Sequence, residues 1–128
     1  MFKRLEKWLK DRKFDCIEYD HLTLIGCINE EIKEGIDKRD DLHESIDWRC
    51  DCIIYLINSI TQSGYNAEKC LYEALKEIES REQDPKQKKE WDFKIKNNIK
   101  IKEKWKKNKN QKDETKYKAD YESCRLLK

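Results

Sequence analysis

A chain of 128 residues with 29 Lys and Arg against 27 Asp and Glu carries a formal charge of +2, and 44% of it is charged against 37% hydrophobic. That is the length of one domain whose apolar residues must lie on narrow faces, which excludes a sheet buried on both sides. Three glycines and one proline supply too few turn formers for a sandwich or barrel and no glycine-rich phosphate loop. The expectation is an all-α fold: an antiparallel bundle of about four helices with a basic C-terminal extension.

The first residues, Met1-Phe-Lys-Arg-Leu-Glu-Lys-Trp, lack the apolar core of a signal peptide, and no stretch approaches the roughly 20 apolar residues of a membrane span. The chain therefore reads as cytoplasmic, with no membrane partner. In that compartment the six cysteines are expected as free thiols rather than a disulfide framework. Charge divides the chain. Residues 1–85 hold 13 basic and 20 acidic side chains, whereas residues 86–128 hold 16 and 7, which predicts an acidic folded body ending near Asp84-Pro85 and a basic tail.

In chain order, Phe2, Leu5, Trp8 and Leu9 at helical spacing predict a first helix to about Lys13. Asp20 caps a second, reaching about Lys38 with Leu22, Ile25, Ile28, Ile32 and Ile36 on one side. A third runs from about Asp40 to Ser63, where Leu42, Ile46, Cys50, Ile53, Ile57 and Ile60 form a continuous stripe expected to face the core. Gly64 ends it, and Asn66 caps a fourth with Cys70, Leu71, Ala74, Leu75 and Ile78 facing inward. Beyond Lys86, lysines alternate with Trp91, Phe93, Ile95, Ile99, Ile101 and Trp105. That pattern fits a hairpin turning at Lys96-Asn97-Asn98, a ragged helix, or a solvated segment without fixed structure.

Opposite its isoleucine stripe, the third helix has a second organised face. At 100° per residue, Glu44, Asp47, Asp51 and Asn58 lie within about 60° of one another, with Trp48 and Tyr55 beside them. On the second helix Glu31 and Glu34 share a stripe with Lys38, and Glu30 is adjacent. A short turn near Lys38-Arg39-Asp40 would make the two helices antiparallel and bring both carboxylate sets together. A solvated acidic face is the plainer reading. Two carboxylates about 5 Å apart nevertheless repel by roughly 3 kcal/mol at an effective dielectric of 20, which a cation would reverse. Oxygen donors without convergent nitrogen or sulfur suit Mg²⁺ or Mn²⁺.

The segments Ile28-Asn-Glu-Glu-Ile-Lys-Glu-Gly, Asp41-Leu-His-Glu-Ser-Ile-Asp, Asp51-Cys-Ile-Ile-Tyr-Leu-Ile-Asn, Ser63-Gly-Tyr-Asn-Ala-Glu-Lys-Cys-Leu and Leu75-Lys-Glu-Ile-Glu-Ser-Arg resemble the all-α nucleoside triphosphate pyrophosphohydrolases. This MazG-like superfamily includes dimeric dUTPases and many short phage members. The resemblance covers about residues 20–82, with Lys118-Ala-Asp-Tyr-Glu-Ser-Cys similar to the ends of some phage members. It implies Mg²⁺ held by Glu-x-x-Glu on one helix and Glu-x-x-Asp on the next, and cleavage between the α and β phosphates of a (deoxy)nucleotide. Carried over, Glu31, Glu34, Asp47 and Asp51 hold the ion, and Glu30 or Glu44 accepts a proton. Asn58 is similar to a family residue near the ligand; Trp48 or Tyr55 would stack on a base or, the plainer reading, pack against a neighbouring helix or subunit; and Lys38, Lys76 and Arg81 are candidate phosphate ligands, with ordinary surface charge the plainer reading. The chain departs from the pattern in one respect. Glu44-Ser-Ile-Asp47 matches the second motif literally, yet the family spacing to the following glycine fits Asp51 and puts Trp48 where glutamate is expected. Both registers stay open, one helical turn apart.

No zinc-binding cysteine pair, metalloprotease histidine spacing or serine elbow is present. The basic tail suits either nucleic acid, through phosphate attraction and stacking, or the acidic cleft of its own chain. A small helical body with an acidic cleft is expected to form a dimer or tetramer.

Overall fold

The structure, a computed structural model, describes residues 1–81, 84–102 and 117–126; Trp105, one of the tail aromatics, lies outside them. Among the described residues there are five α-helices and no strand. They are α1 (Phe2–Asp11), α2 (His21–Asp37), α3 (Leu42–Gln62), α4 (Ala67–Glu79) and α5 (Pro85–Lys96).

Local chemistry fixes the boundaries. Helix α1 stops two residues before the expected Lys13 because Lys13 takes a left-handed conformation, φ 58°, and a 3₁₀ turn, Phe14–Cys16, follows. Trp8 and Phe14 then meet, ring centroids 5.3 Å apart. Asp20 caps α2 by accepting from the Thr23 amide at 3.0 Å and from the Thr23 hydroxyl. Asp41 caps α3 by accepting from the His43 and Glu44 amides at 3.0 and 3.2 Å. Gly64, φ 90°, turns the chain out of α3, and Asn66 Oδ1 accepts from the Lys69 amide at 3.1 Å to open α4.

The tail does not form the hairpin that its alternation allowed. Asp84 accepts from the Lys86 amide at 3.0 Å and Pro85 occupies the first turn, so residues 85–96 are helical. The helix ends at Asn97-Asn98, where Asn98 is left-handed, φ 55°, and the Ile99 amide bonds the Lys94 carbonyl at 2.8 Å.

Two compact units result, Met1–Leu71 with Tyr121–Lys128, and Tyr72–Asp120. In the first, α2 and α3 form an antiparallel hairpin, α1 packs on the 3₁₀ turn that follows it, that turn packs on α3, and Gln62 Nε2 donates to the Phe14 carbonyl at 3.2 Å. The segment from Tyr121 lies on the α3–α4 turn. The Asn66 amide bonds the Cys124 carbonyl and the Leu126 amide bonds the Gly64 carbonyl, each at 2.8 Å, around a single antiparallel bridge, Tyr65–Arg125. In the second unit the end of α4 carries residues 117–120 on its acidic side chains. Glu73 accepts from the Tyr117 hydroxyl, from Lys76 Nζ at 2.9 Å and from the Asp120 amide at 3.2 Å, while Glu77 accepts from the Ala119 amide at 3.2 Å.

The isoleucine stripe of α3 does not face the core of this chain along its length. Ile57 is buried, with Leu9 and Ala67, but Leu42 is 70% exposed and Ile53 54%, and Ile46 is exposed too. The hairpin closes instead through the opposite face of α3, because α2 offers a glycine there. The side chain of Trp48 lies so close to Gly35 that a Cβ on the glycine would sit 2.5 Å from the indole nitrogen. On α2, Leu22, Ile25, Ile32 and Ile36 are likewise exposed. Leu71, Leu75 and Ile78 of α4, expected inward, are also partly exposed, and only Cys70 of that set is buried among the hydrophobic residues.

Candidate functional site

The α2–α3 seam carries the acidic residues. Because Gly35 lets Trp48 approach, the hairpin is tight at its closed end, and one and two turns along it Glu31 and Cys27 of α2 come opposite Asp51 and Tyr55 of α3. Glu31 is half-buried, and its Oε2 is shielded from solvent without a hydrogen-bond partner. Loss of water raises its carboxyl above the ordinary range, and Asp51, Glu34, Asp47 and Glu30 push it further, in that order. Asp51 is raised as well, first by burial and then by Asp47. The Cys52 thiol and Tyr55 hydroxyl on the same seam are raised first by burial and further by neighbours that include Glu31 and Asp51.

The structure therefore brings Glu30, Glu31, Glu34, Asp47 and Asp51 into one electrostatic neighbourhood. Glu44 stands apart from it. It lies in the first turn of α3 and pairs with Lys38 at 3.5 Å, so Lys38 is already engaged with a carboxylate. Trp48 is packed on Gly35. Lys76 and Arg81 belong to the second unit, where Lys76 bonds Glu73 at 2.9 Å and Arg81 bonds Glu77 at 3.2 Å.

Beside the seam, in the same unit, is a cavity of about 620 Å³. Trp8, Phe14, Leu24 and Ile54 give it apolar walls, and Asp51, Tyr55 and Asn58 line it where it meets the carboxylates. Asn58 Oδ1 is shielded from solvent and has no partner. Among the described residues no lysine or arginine lines this cavity, so it suits an uncharged ring better than a phosphate.

The donor set fits a hard cation in its chemistry. All the candidate donors are oxygens, and one of them, Glu31 Oε2, is desolvated and unpartnered among the described residues, a condition that a cation or a proton relieves. Among the described residues, no three His, Cys, Asp or Glu side chains stand together as a ligand set.

Several elements of the site were not singled out from sequence. Gly35 and Cys27 place the helices at the seam, and a glycine inside a helical pattern is the signal that could have marked the close approach. The N-terminal contribution of Trp8 and Phe14 to the cavity left no such signal. No family model, curated protein or solved structure matches this chain.

Proposed function

We propose that this protein is a Mg²⁺-dependent nucleotide pyrophosphohydrolase (Mn²⁺ an alternative ion) that converts a (deoxy)nucleoside triphosphate to its monophosphate and pyrophosphate. The observation that carries this reading is the seam itself, where half-buried Glu31, with a shielded oxygen lacking any partner, is surrounded by four further carboxylates. An arrangement of like charges withdrawn from water costs stability unless a counter-charge arrives. In this reading Glu31, Glu34, Asp47 and Asp51 hold the ion. When bound, Mg²⁺ would offset triphosphate charge and activate water.

The protein's own groups supply the rest. Glu30, exposed beside Glu31, is placed to accept a proton from the attacking water; Glu44, tied to Lys38, is the less favoured base. The ring of the substrate enters the apolar cavity, where Tyr55 lines a wall and Asn58 Oδ1 accepts an N–H. Trp48 acts by holding the seam closed through Gly35 rather than by stacking. The exposed isoleucines of α2 and α3 serve as the interface of a homo-oligomer, dimer or tetramer, since faces this apolar are covered in a working protein.

A nucleotide panel incubated with Mg²⁺ tests the reading. Monophosphate and pyrophosphate are expected, and a chelator should abolish them; no turnover of any nucleotide, with no effect of millimolar Mg²⁺ on the melting temperature, would overturn it. One observation favours a second role for the tail. On α5, Lys86, Lys89 and Lys96 flank Phe93, which is 63% exposed, a face with phosphate-attracting and base-stacking groups side by side. Salt-sensitive binding of single-stranded DNA or RNA, without nucleotide turnover, would favour that role over the enzyme.

A further inference from the structure

Two of the six cysteines are buried, and they lie together. Cys70, on the second turn of α4, is 6% exposed; Cys124, in the 3₁₀ turn Glu122–Cys124, is 2% exposed. Backbone bonds on both sides set their approach. The Asn66 amide donates to the Cys124 carbonyl at 2.8 Å, and one turn on, the Cys70 amide donates to the Asn66 carbonyl at 3.0 Å. The two thiols are near enough that Cys124 perturbs the ionisation of Cys70. Both residues belong to the first unit, and the whole of the second unit, Tyr72–Asp120, lies between them in sequence.

We infer that Cys70 and Cys124 are an oxidisable pair, and that a peroxide of the cell converts them to a disulfide that locks the C-terminal segment onto α4. Small buried thiols also serve as plain packing. Here, however, the pair joins the point where the chain leaves the first unit to the point where it returns, so a bond between them would close the second unit into a covalent loop.

The chemistry proceeds in two balanced steps. One thiolate attacks hydrogen peroxide, forming a sulfenic acid and releasing hydroxide, which takes up the thiol's former proton as water. The second thiol then attacks the sulfenic sulfur, forming the S–S bond, and its proton leaves with the hydroxyl as a second water. Each sulfur gives up one electron, and peroxide takes both. Burial and the neighbouring Cys124 push the Cys70 thiol up to about 11, so at neutral pH only about one in 10⁴ such groups is the reactive thiolate. Oxidation therefore waits on release of the segment, which the two backbone hydrogen bonds of the Tyr65–Arg125 bridge and the Arg125–Tyr65 side-chain contact hold in place.

The test uses the full chain, reduced, then treated with a slight excess of hydrogen peroxide, denatured, alkylated and mapped by mass spectrometry without reductant. The expected result is a monomer lighter by two hydrogens, a Cys70–Cys124 cross-linked peptide reversed by dithiothreitol, and a melting temperature higher by on the order of 5–10 °C. In the untreated protein these two thiols should alkylate at least about tenfold more slowly than exposed Cys16 and Cys50. Cys124→Ala should abolish both the cross-link and the stabilisation. The inference fails if the pair remains alkylatable under conditions that oxidise Cys16 or Cys50, or if the cross-link found joins other cysteines. The map is read on the unsubstituted protein, so it holds even if Cys124→Ala does not fold, and it is independent of any nucleotide activity.

Discussion

Glu31 on α2, half-buried, and Glu73 on α4, buried, are both glutamates set into helices, yet their surroundings are opposite. Glu73 is satisfied on every side. The Tyr117 hydroxyl, the Lys76 ammonium and the Asp120 amide all donate to it, and the tyrosine first, then the lysine, hold its carboxyl below the ordinary range. Glu31 meets four carboxylates and, among the described residues, no donor at Oε2, and its carboxyl is raised. The first arrangement holds a chain segment in place and asks for nothing further. The second leaves a carboxylate that a proton or a cation would stabilise.

The largest expected effect separates the members of the acidic seam. Asp51→Asn keeps the shape of the side chain and removes its charge, so it should lower nucleotide turnover by at least about 100-fold, whereas Glu44→Gln, which only releases Lys38, should cost at most a few-fold. The reverse ranking, measured as kcat/KM, would move the working pair to Glu44 and Asp47. Full activity in Asp47→Asn would remove this face of α3 from the chemistry altogether.

Next in size is the response to cation. Mg²⁺ at about 100 times its dissociation constant should stabilise the fold by about 2.7 kcal/mol, seen as a higher melting temperature that Asp51→Asn loses and Tyr117→Phe retains. Equal gains in both variants would place the ion away from the seam. Gly35→Ala tests the geometry that creates the seam. Its Cβ would fall 2.5–2.7 Å from the Trp48 indole, so it should cost about 1–3 kcal/mol in urea unfolding, and Trp48→Leu in the same chain should return part of the loss.

The smallest effect is the contrast in pH response. Glu31 and Asp51 have raised carboxyls in the folded state, so the folded chain holds their protons longer than the unfolded chain. Their contribution is complete below the ordinary carboxylate range, near pH 4, and is lost as pH rises through the folded values. Glu73, lowered, contributes above its ordinary 4.5 and loses that contribution as pH falls through its depressed value. Glu31→Gln should therefore flatten the decline in denaturation midpoint above about pH 4.5, and Glu73→Gln should flatten the loss below it. Unchanged profiles in both would mean that neither environment differs between the folded and unfolded chain.

Much of the helical plan was legible from local chemistry. Asp20, Asp41, Asn66 and Gly64 each do at a helix end what their side chains, or lack of one, allow, and those contacts involve residues two to five apart. Asp84-Pro85 carried the same kind of signal for α5, whose helix is one of the three forms that the alternation of lysine with aromatics left open. Which face of α3 turns inward was not legible. Periodicity reveals that Leu42, Ile46 and Ile53 form an apolar face, but not what covers it, and within one chain Trp48 against Gly35 decides the pairing. The carboxylates of the candidate site could be listed from spacing alone. That Glu44 stands apart with Lys38, and that Glu73 anchors Tyr117 forty-four residues away, depends on contacts across the chain that no local pattern encodes.

The return of residues 121–126 to the α3–α4 turn also bears on how the protein is made. During synthesis Tyr65, Asn66 and Cys70 emerge long before their partners Arg125 and Cys124, so the first unit cannot be completed by the N-terminal part of the chain alone. At roughly 5–20 residues per second, its α3–α4 turn stays uncovered for several seconds while the second unit passes through the exit tunnel. A nascent chain arrested before residue 121 should expose the Cys70 thiol that the finished protein hides.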